Sequence, residues 1–417
     1  MDAANTVTHR FSRPPGFAGQ PIAVTAWLIL ASIPLAQAGD SLGDALTGGR
    51  ANLDLRYRLE IVEQEGFSED AQASTFRLRL GYTTGAYHGF FAGADFEHIA
   101  RVGGEEYNST ENGLVQFPVV ADPEDTEINQ AYLGYSGLSN TVFKLGRQRI
   151  ALDNHRFVGN VGWRQNEQTF DAFSVRSKVN DRVTFFYGHL NNANTVFGEN
   201  HPTRADLNLS SDLGNVAIRI PGGQVTAYAY LVETEDTPAA SHKSLGVRYK
   251  GNHSFSDHLD LLYTAEYADQ SDYKDGASTI DASYLLAEAG IRWKSLTPKL
   301  GYEVLGSNDG VYGFATPLAT LHAFNGWADL FLTTPVQGLK DRYVSVAGTV
   351  LGFQLSGIYH DFSADEGGED FGSELDLQIR RTFRKKYSFV LKYADFQADS
   401  RSHPDTEKLW LVLQLKI

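Results

Sequence analysis

The sequence predicts an all-β fold: one antiparallel β-barrel of about 18 strands that crosses a membrane. Three observations carry this reading. Apolar and polar residues alternate along nearly the whole chain after residue 38. The polar face of that alternation is rich in charge, and the connections between strands alternate in length, short then long.

The N-terminal segment comes first. Arg10 and Arg13 precede the apolar run Ile22 to Leu35, which ends in Ala36-Gln37-Ala38. A basic stretch, a short apolar run and small residues at a cleavage position describe a secretory signal peptide. The run is shorter than the roughly 20 residues a membrane-spanning helix needs. Residues 1–38 are therefore expected to be removed, leaving 39–417 as a single barrel domain.

The strands follow. In ANLDLRYRLEI, Leu53, Leu55, Tyr57, Leu59 and Ile61 share one face, and Asp54, Arg56, Arg58 and Glu60 share the other. TFRLRLGY opposes Phe76, Leu78, Leu80 and Tyr82 to Arg77 and Arg79. ELDLQI opposes Leu375, Leu377 and Ile379 to Glu374, Asp376, Gln378 and Arg380, and the chain closes on the apolar row of LWLVLQLKI. Eighteen such segments begin near residues 51, 74, 90, 127, 141, 168, 182, 206, 224, 243, 257, 279, 296, 339, 353, 370, 386 and 407. Tight turns such as SGLSN, KVND, IPGG, FSDH and RKK follow the even strands; longer polar loops such as VGGEEYNSTENGLVQFPVVADPED follow the odd ones. Short turns on one rim and long loops on the other are the pattern of an outer-membrane barrel, with short turns on the periplasmic side.

The physical reason for closure is that hydrocarbon offers no partner to backbone N–H and C=O groups, so a spanning sheet cannot keep an edge. The apolar face then meets lipid and the charged face meets a water-filled lumen. A soluble core could hold Arg56, Arg58, Arg77, Arg79, Glu374, Asp376 and Arg380 only by pairing all of them. Dispersed lumenal charge also accounts for a mean hydropathy of −0.29.

Composition narrows function. The 417 residues carry a formal net charge of −15, which disfavours a nucleic-acid partner. Absence of cysteine excludes disulfides, thiolate metal sites and cysteine nucleophiles. The sequence contains no HExxH. His88, His189 and His360 are enzymatic candidates by residue type alone, and carboxylate pairs such as Asp361/Asp365 arise by chance in so acidic a chain. No enzyme, cofactor or metal is expected.

The segment KLGRQRI followed by FVGNVGWRQNEQTFDAF resembles the hallmark segment of the alginate-export family of outer-membrane porins. The block ATPLATLHAFNGWADLFLTTPVQGLKDRYVSV, Ala315 to Val346, resembles that family's second recurrent block. The resemblance implies an 18-stranded monomeric barrel with an arginine-rich, electropositive constriction. The type member exports alginate, but this chain is shorter than a dedicated exporter. Passive passage of anions such as uronates, oligouronates or organic acids is therefore the expected function, with polysaccharide export or an outer-membrane barrel enzyme acting on lipids or glycans as alternatives.

By parity, the expected pore-lining or solute-binding residues are Arg56, Arg58, Arg77, Arg79, Lys144, Arg176, Arg248, Arg292, Arg380 and Lys392, accompanied by Asp54, Glu374 and Asp376. Arginine suits carboxylated solutes because its planar fork pairs bidentately with a carboxylate. Four arginines in the first two strands place part of a constriction there. Arg147 and Arg149 have lipid-facing parity, so either a bulge turns them inward or the strand has left the apolar band. With Arg156 and Arg164, they are read as part of a connection folded into the lumen. Trp163 and Trp327 are candidates for plugging the pore or stacking on sugar rings, Trp327 from the long loop Gly306 to Gly338. Expected partners are anionic solutes, lipopolysaccharide, outer-membrane lipid and the barrel-assembly machinery.

Overall fold

A computed structural model describes residues 41–417, so the expected signal peptide lies outside the described residues. The chain runs β1 Arg50–Gln64, β2 Ala71–Thr83, β3 Phe90–Arg101, β4 Asp125–Leu138, β5 Thr141–Gln148, β6 Thr169–Lys178, β7 Val183–Asn194, β8 Asp206–Ile220, β9 Gly223–Val232 and β10 His242–Ser256. It continues with β11 Leu259–Asp272, β12 Asp281–Trp293, β13 Leu296–Leu305, β14 Ser307–Asn308, β15 Tyr312–Gly313, β16 Leu339–Val350, β17 Phe353–Ser363, β18 Asp370–Phe383, β19 Tyr387–Ala398 and β20 Thr406–Lys416. All but the two-residue ribbon β14–β15 belong to one 18-stranded sheet. Each of the eighteen begins within three residues of the position read from the alternation.

Every strand of this sheet pairs antiparallel with its neighbours in sequence, β13 pairing with β16 across the ribbon. The barrel closes through β1, which pairs with β2 on one side and β20 on the other. Leu55 stands opposite Leu78 and Leu415, and Tyr57 opposite Phe76 and Leu413, so the apolar rows align across the closing seam. A one-residue slip would turn charge to lipid, which is why register is strongly specified here. On the outer face near the short turns, Phe90, Tyr135, Phe143 and Phe173 form a chain of neighbouring rings, as expected of an interfacial aromatic girdle. None of the described helices is long and apolar enough to cross a membrane.

Two features depart from the expectation. A six-residue helix, α1 Leu42–Thr47, precedes β1; the Ser41 side chain caps it, and Ala45 C=O accepts from Gly85 N–H in the β2–β3 turn. The lumen, expected to be water-filled, is in large part a packed core. Two inward loops, residues 149–168 and 306–338, bring Ile150, Leu152, Val158, Phe314, Leu318, Ala328 and Phe331 against wall residues such as Phe170, Leu213, Tyr284, Phe362 and Trp410. Phe157 touches Tyr228, Tyr230, Tyr284 and Phe314 within 6.0 Å between ring centroids. An inward-facing apolar residue on a porin wall buries its surface only if something fills the lumen, and these loops supply it.

Candidate solute pathway

The first inward loop is held by its own carbonyl groups. Arg56 donates from Nε to Gln165 Oε1 at 2.9 Å, from Nη1 to Gly162 C=O at 3.0 Å, and also to Arg164 C=O. Arg58 donates to Trp163 C=O and Glu60, both at 2.6 Å, and lies 3.4 Å from Asp122. Arg77 reaches Gln165 C=O at 3.1 Å and Asp54 at 2.9 Å. Arg79 pairs with Glu97 and, at 3.1 Å, with Glu167 of the loop. All four arginines are buried. They do not line an open constriction as parity alone suggested; charge-assisted bonds to backbone and carboxylates take up most of their donors.

Loop charges complete the anchor. Arg149 pairs with Glu167 and, at 3.1 Å, with Asp95, so it turns inward once β5 has ended. Arg164 bridges Glu60 and Asp329, each at 3.1 Å, joining β1 to the second loop. Burial opposes ionisation of Glu167, but the Arg79 and Arg149 guanidinium groups hold its carboxyl down to about 2. Arg147 behaves differently. It shares a face with lipid-exposed Leu145 and Phe173 and pairs there with Asp171 at 3.0 Å and Glu199 at 2.7 Å. It is therefore a rim residue and not a lumen residue: β5 has left the apolar band by this point, so no bulge is needed to spare it from lipid.

The second loop is fastened to the opposite wall and to the first loop. Glu374 accepts from the backbone N–H of Trp327 at 2.5 Å and of Ala328 at 2.7 Å. Asn325 donates to Glu303 and Asp341, and Arg156 of the first loop pairs with Glu303 at 2.9 Å. Between the loops, Gly159 N–H reaches Leu318 C=O at 2.8 Å and Thr320 N–H reaches His155 C=O at 2.9 Å. Trp163 stacks on His322 with centroids 4.7 Å apart. The Lys392 ammonium sits 3.6 Å from the Trp327 ring centre, 4.4 Å from Trp163 and 5.4 Å from Trp410. Burial, opposed by Asp329 and helped by Lys392, drives His322 down to about 3. The ring is thus neutral, Nδ1 donating to Asp329 and Nε2 accepting from Lys392, each at 2.6 Å. The two tryptophans expected to stack on sugar instead enclose a lysine of the wall.

What stays open is a vestibule of about 920 Å³. Trp163, Phe324, Trp327 and Lys392 bound it at the loops, and it runs to residues beside the short turns such as Gly223, Ser295, Gly348 and Gln354. Besides Lys392, five bases line it: Arg219, Lys250, Arg292, Lys299 and Arg380. Arg292 pairs with Asp260 at 2.7 Å and Lys299 lies 3.6 Å from Glu288. Among the described residues Arg219, Lys250 and Arg380 have no ion-pair partner. Elsewhere Arg248 pairs with Glu266, Arg176 lies 5.0 Å over the Phe186 ring and Lys144 lies 4.0 Å over Tyr132. Asp376 is buried with His360 Nε2 at 3.7 Å. Lys250 escaped the sequence reading, although it shares the parity of Arg248. Asp122, Glu167, His322 and Asp329 could not be found by parity, because they sit in loops.

A closed 18-stranded barrel with an apolar exterior, a charged interior and a polar vestibule defines a channel protein of the bacterial outer membrane, of the porin class. The sequence profile of the family described as "Alginate export" matches residues 50–307, and the chain belongs to that family. The second block read as characteristic, Ala315 to Val346, lies beyond the matched residues. Comparison with curated protein sequences gives no match. Among solved structures the barrel is similar to OccAB4 of Acinetobacter baumannii, with a TM-score of 0.71 at 12% identity, covering 88% of this chain and 98% of that one. It is also similar to OccK9 (OpdG) of Pseudomonas aeruginosa, with a TM-score of 0.70 at 14% identity and coverages of 89% and 100%. A third, OpdK of Pseudomonas aeruginosa with vanillate, gives 0.67 at 14% identity, with coverages of 88% and 98%. At these identities the likeness is one of fold.

Proposed function

We propose that this protein passes small anionic solutes, such as uronates, oligouronates or organic acids, across the outer membrane by passive diffusion. The observation that carries the reading is the vestibule: among the described residues Arg219, Lys250 and Arg380 lack ion-pair partners there, in a chain whose net charge is −15. Unpaired bases lining a water-filled passage lower the entry barrier for anions and raise it for cations. The carboxylate carried by vanillate, named with OpdK, is of the same chemical kind. Solutes that fit past two inward loops are small or slender, which favours diffusion over export of a polymer. No catalytic step is assigned. One chain closes the barrel by itself, so a monomer suffices as the working unit, and its rims meet lipopolysaccharide, lipid and, during assembly, the insertion machinery.

The test is the reversal potential of the refolded chain in a planar bilayer under a potassium chloride gradient, with and without oligouronate. The expected result is an anion-selective current blocked by oligouronate and untouched by a neutral oligosaccharide. A cation-selective current would overturn the proposal.

A further inference from the structure

The lipid-facing surface carries a recess that the solute pathway does not explain. A groove of about 680 Å³ crosses the outer face of the closing seam, lined by Leu55, Tyr57, Phe353, Phe383, Tyr387 and Leu415 among others. These residues flank the short turns at 351–352 and 384–386 and the C-terminal end of β20, so the groove lies at the short-turn rim. Its lining is almost wholly apolar and its position is where acyl chains meet headgroups.

Bases stand at its mouth. The stretch from Leu377 to Val390, LQIRRTFRKKYSFV, holds five bases and no acid. Arg380 faces the vestibule, whereas Arg381 has the outward parity of Ile379 and Phe383. The Arg381 guanidinium lies 4.5 Å from the Phe353 ring centre and 4.7 Å from that of Phe383, its stem laid on the apolar wall and its charge directed to the rim. Arg384, Lys385 and Lys386 form the turn beside it. Two of these residues adopt left-handed backbone, Arg384 at φ +50° and Lys385 at φ +59°, a turn that asparagine and glycine fill at least cost. The neighbouring turn gives its second left-handed place to Gly352.

We propose that this groove binds an anionic glycerophospholipid of the leaflet on the short-turn side. One acyl chain lies along the aromatic floor, and the phosphate meets Arg381, Arg384, Lys385 and Lys386. A basic residue at a membrane surface strengthens binding of an anionic lipid by about fivefold. Four of them select strongly against a zwitterionic headgroup of equal chain length.

The test is native mass spectrometry of the refolded, delipidated full chain in detergent, offered equimolar dioleoylphosphatidylglycerol and dioleoylphosphatidylcholine. The expected result is retained phosphatidylglycerol adducts in more than about tenfold excess. Substituting Arg381→Gln, Arg384→Gln, Lys385→Gln and Lys386→Gln together removes that excess, while heat-modifiable migration on gels shows the barrel still folded. A control variant with Lys274→Gln and Arg342→Gln, on the long-loop rim, keeps the excess. Equal adducts in the unaltered protein would overturn the proposal. So would an excess surviving the four substitutions, one lost equally in the control variant, or a dimer of the chain in place of lipid adducts.

Discussion

At the residue scale the arginines of β1 and β2 illustrate how burial changes a side chain's role. Arg56 gives three donors to the inward loop, two of them to backbone carbonyls. Truncating one member of a buried ionic network costs about 3–5 kcal/mol, because the partners stay buried. Arg56→Ala is therefore expected to loosen residues 162–165 and raise single-channel conductance and current noise; unchanged current traces would show that the loop is held without it. Protonation should act on the same contacts. The Glu167 carboxyl is held at about 2 in the fold against 4.5 unfolded. Its contribution, about 3 kcal/mol, is thus complete above pH 4.5 and lost as pH falls towards 2. His322, depressed to about 3 from 6.5, adds to the loss in the same direction, since the released ring takes up a proton that the buried ring refuses. Arg77, Arg79, Arg149 and Glu97 surround the first group, and Asp329, Lys392 and Arg164 the second. Channel current recorded from pH 7 downward should become noisier below about 6.5 and rise steeply below about 4.5, as loop contacts fail in turn.

At the scale of elements, the barrel wall and the two loops follow different rules. Strands are set by alternation, a local property, whereas the loops are set by what the wall offers them. Gly326 shows the coupling: its φ is +86°, and a Cβ there would stand 2.2 Å from the Glu374 carboxylate. That carboxylate accepts the Trp327 and Ala328 N–H groups, so Gly326→Ala displaces the acceptor that seats the long loop. A left-handed residue that loses glycine costs about 1–2 kcal/mol in backbone strain alone. The displaced acceptor adds to it. The expected result is faster cleavage of residues 321–331 by protease in detergent, with the barrel still resistant; cleavage at the unaltered rate would mean the loop is held elsewhere. The sequence showed that this region was a long loop with aromatic and small residues. It did not show that Lys392 of β19 lies among Trp163, Trp327 and Trp410, because those residues meet only when the sheet closes.

At the scale of the whole molecule, closure and field dominate. Removing Thr406–Ile417 leaves β1 and β19 with unpaired edges in hydrocarbon, each unsatisfied group costing several kcal/mol. The truncated chain should show no heat-modifiable band on gels after refolding into lipid. The field of the vestibule should weaken with salt, since the screening length shrinks from about 10 Å at 0.1 M to about 3 Å at 1 M. Changing Arg219, Lys250 and Arg380 together to glutamine should lower anion preference at 0.1 M and alter it little at 1 M. A preference that survives those substitutions would place the selective element within the loops instead.

The sequence by itself determined the barrel: eighteen strands, their order, their faces and the alternation of turns and loops. All of these follow from a period of two residues and from the demand that a sheet in lipid close on itself. It also determined the inward facing of strand residues such as Arg56, Arg58, Arg77 and Arg79. Only the tertiary structure decided what those residues do. Parity cannot distinguish a guanidinium facing water from one bonded to a carbonyl of a loop more than a hundred residues away, as Arg56 and Arg58 are. It cannot see that Arg147 lies at the rim, because the edge of the apolar band depends on where neighbouring strands end. Direction is a local consequence of backbone geometry, whereas pairing depends on which distant segments the closed barrel brings within reach.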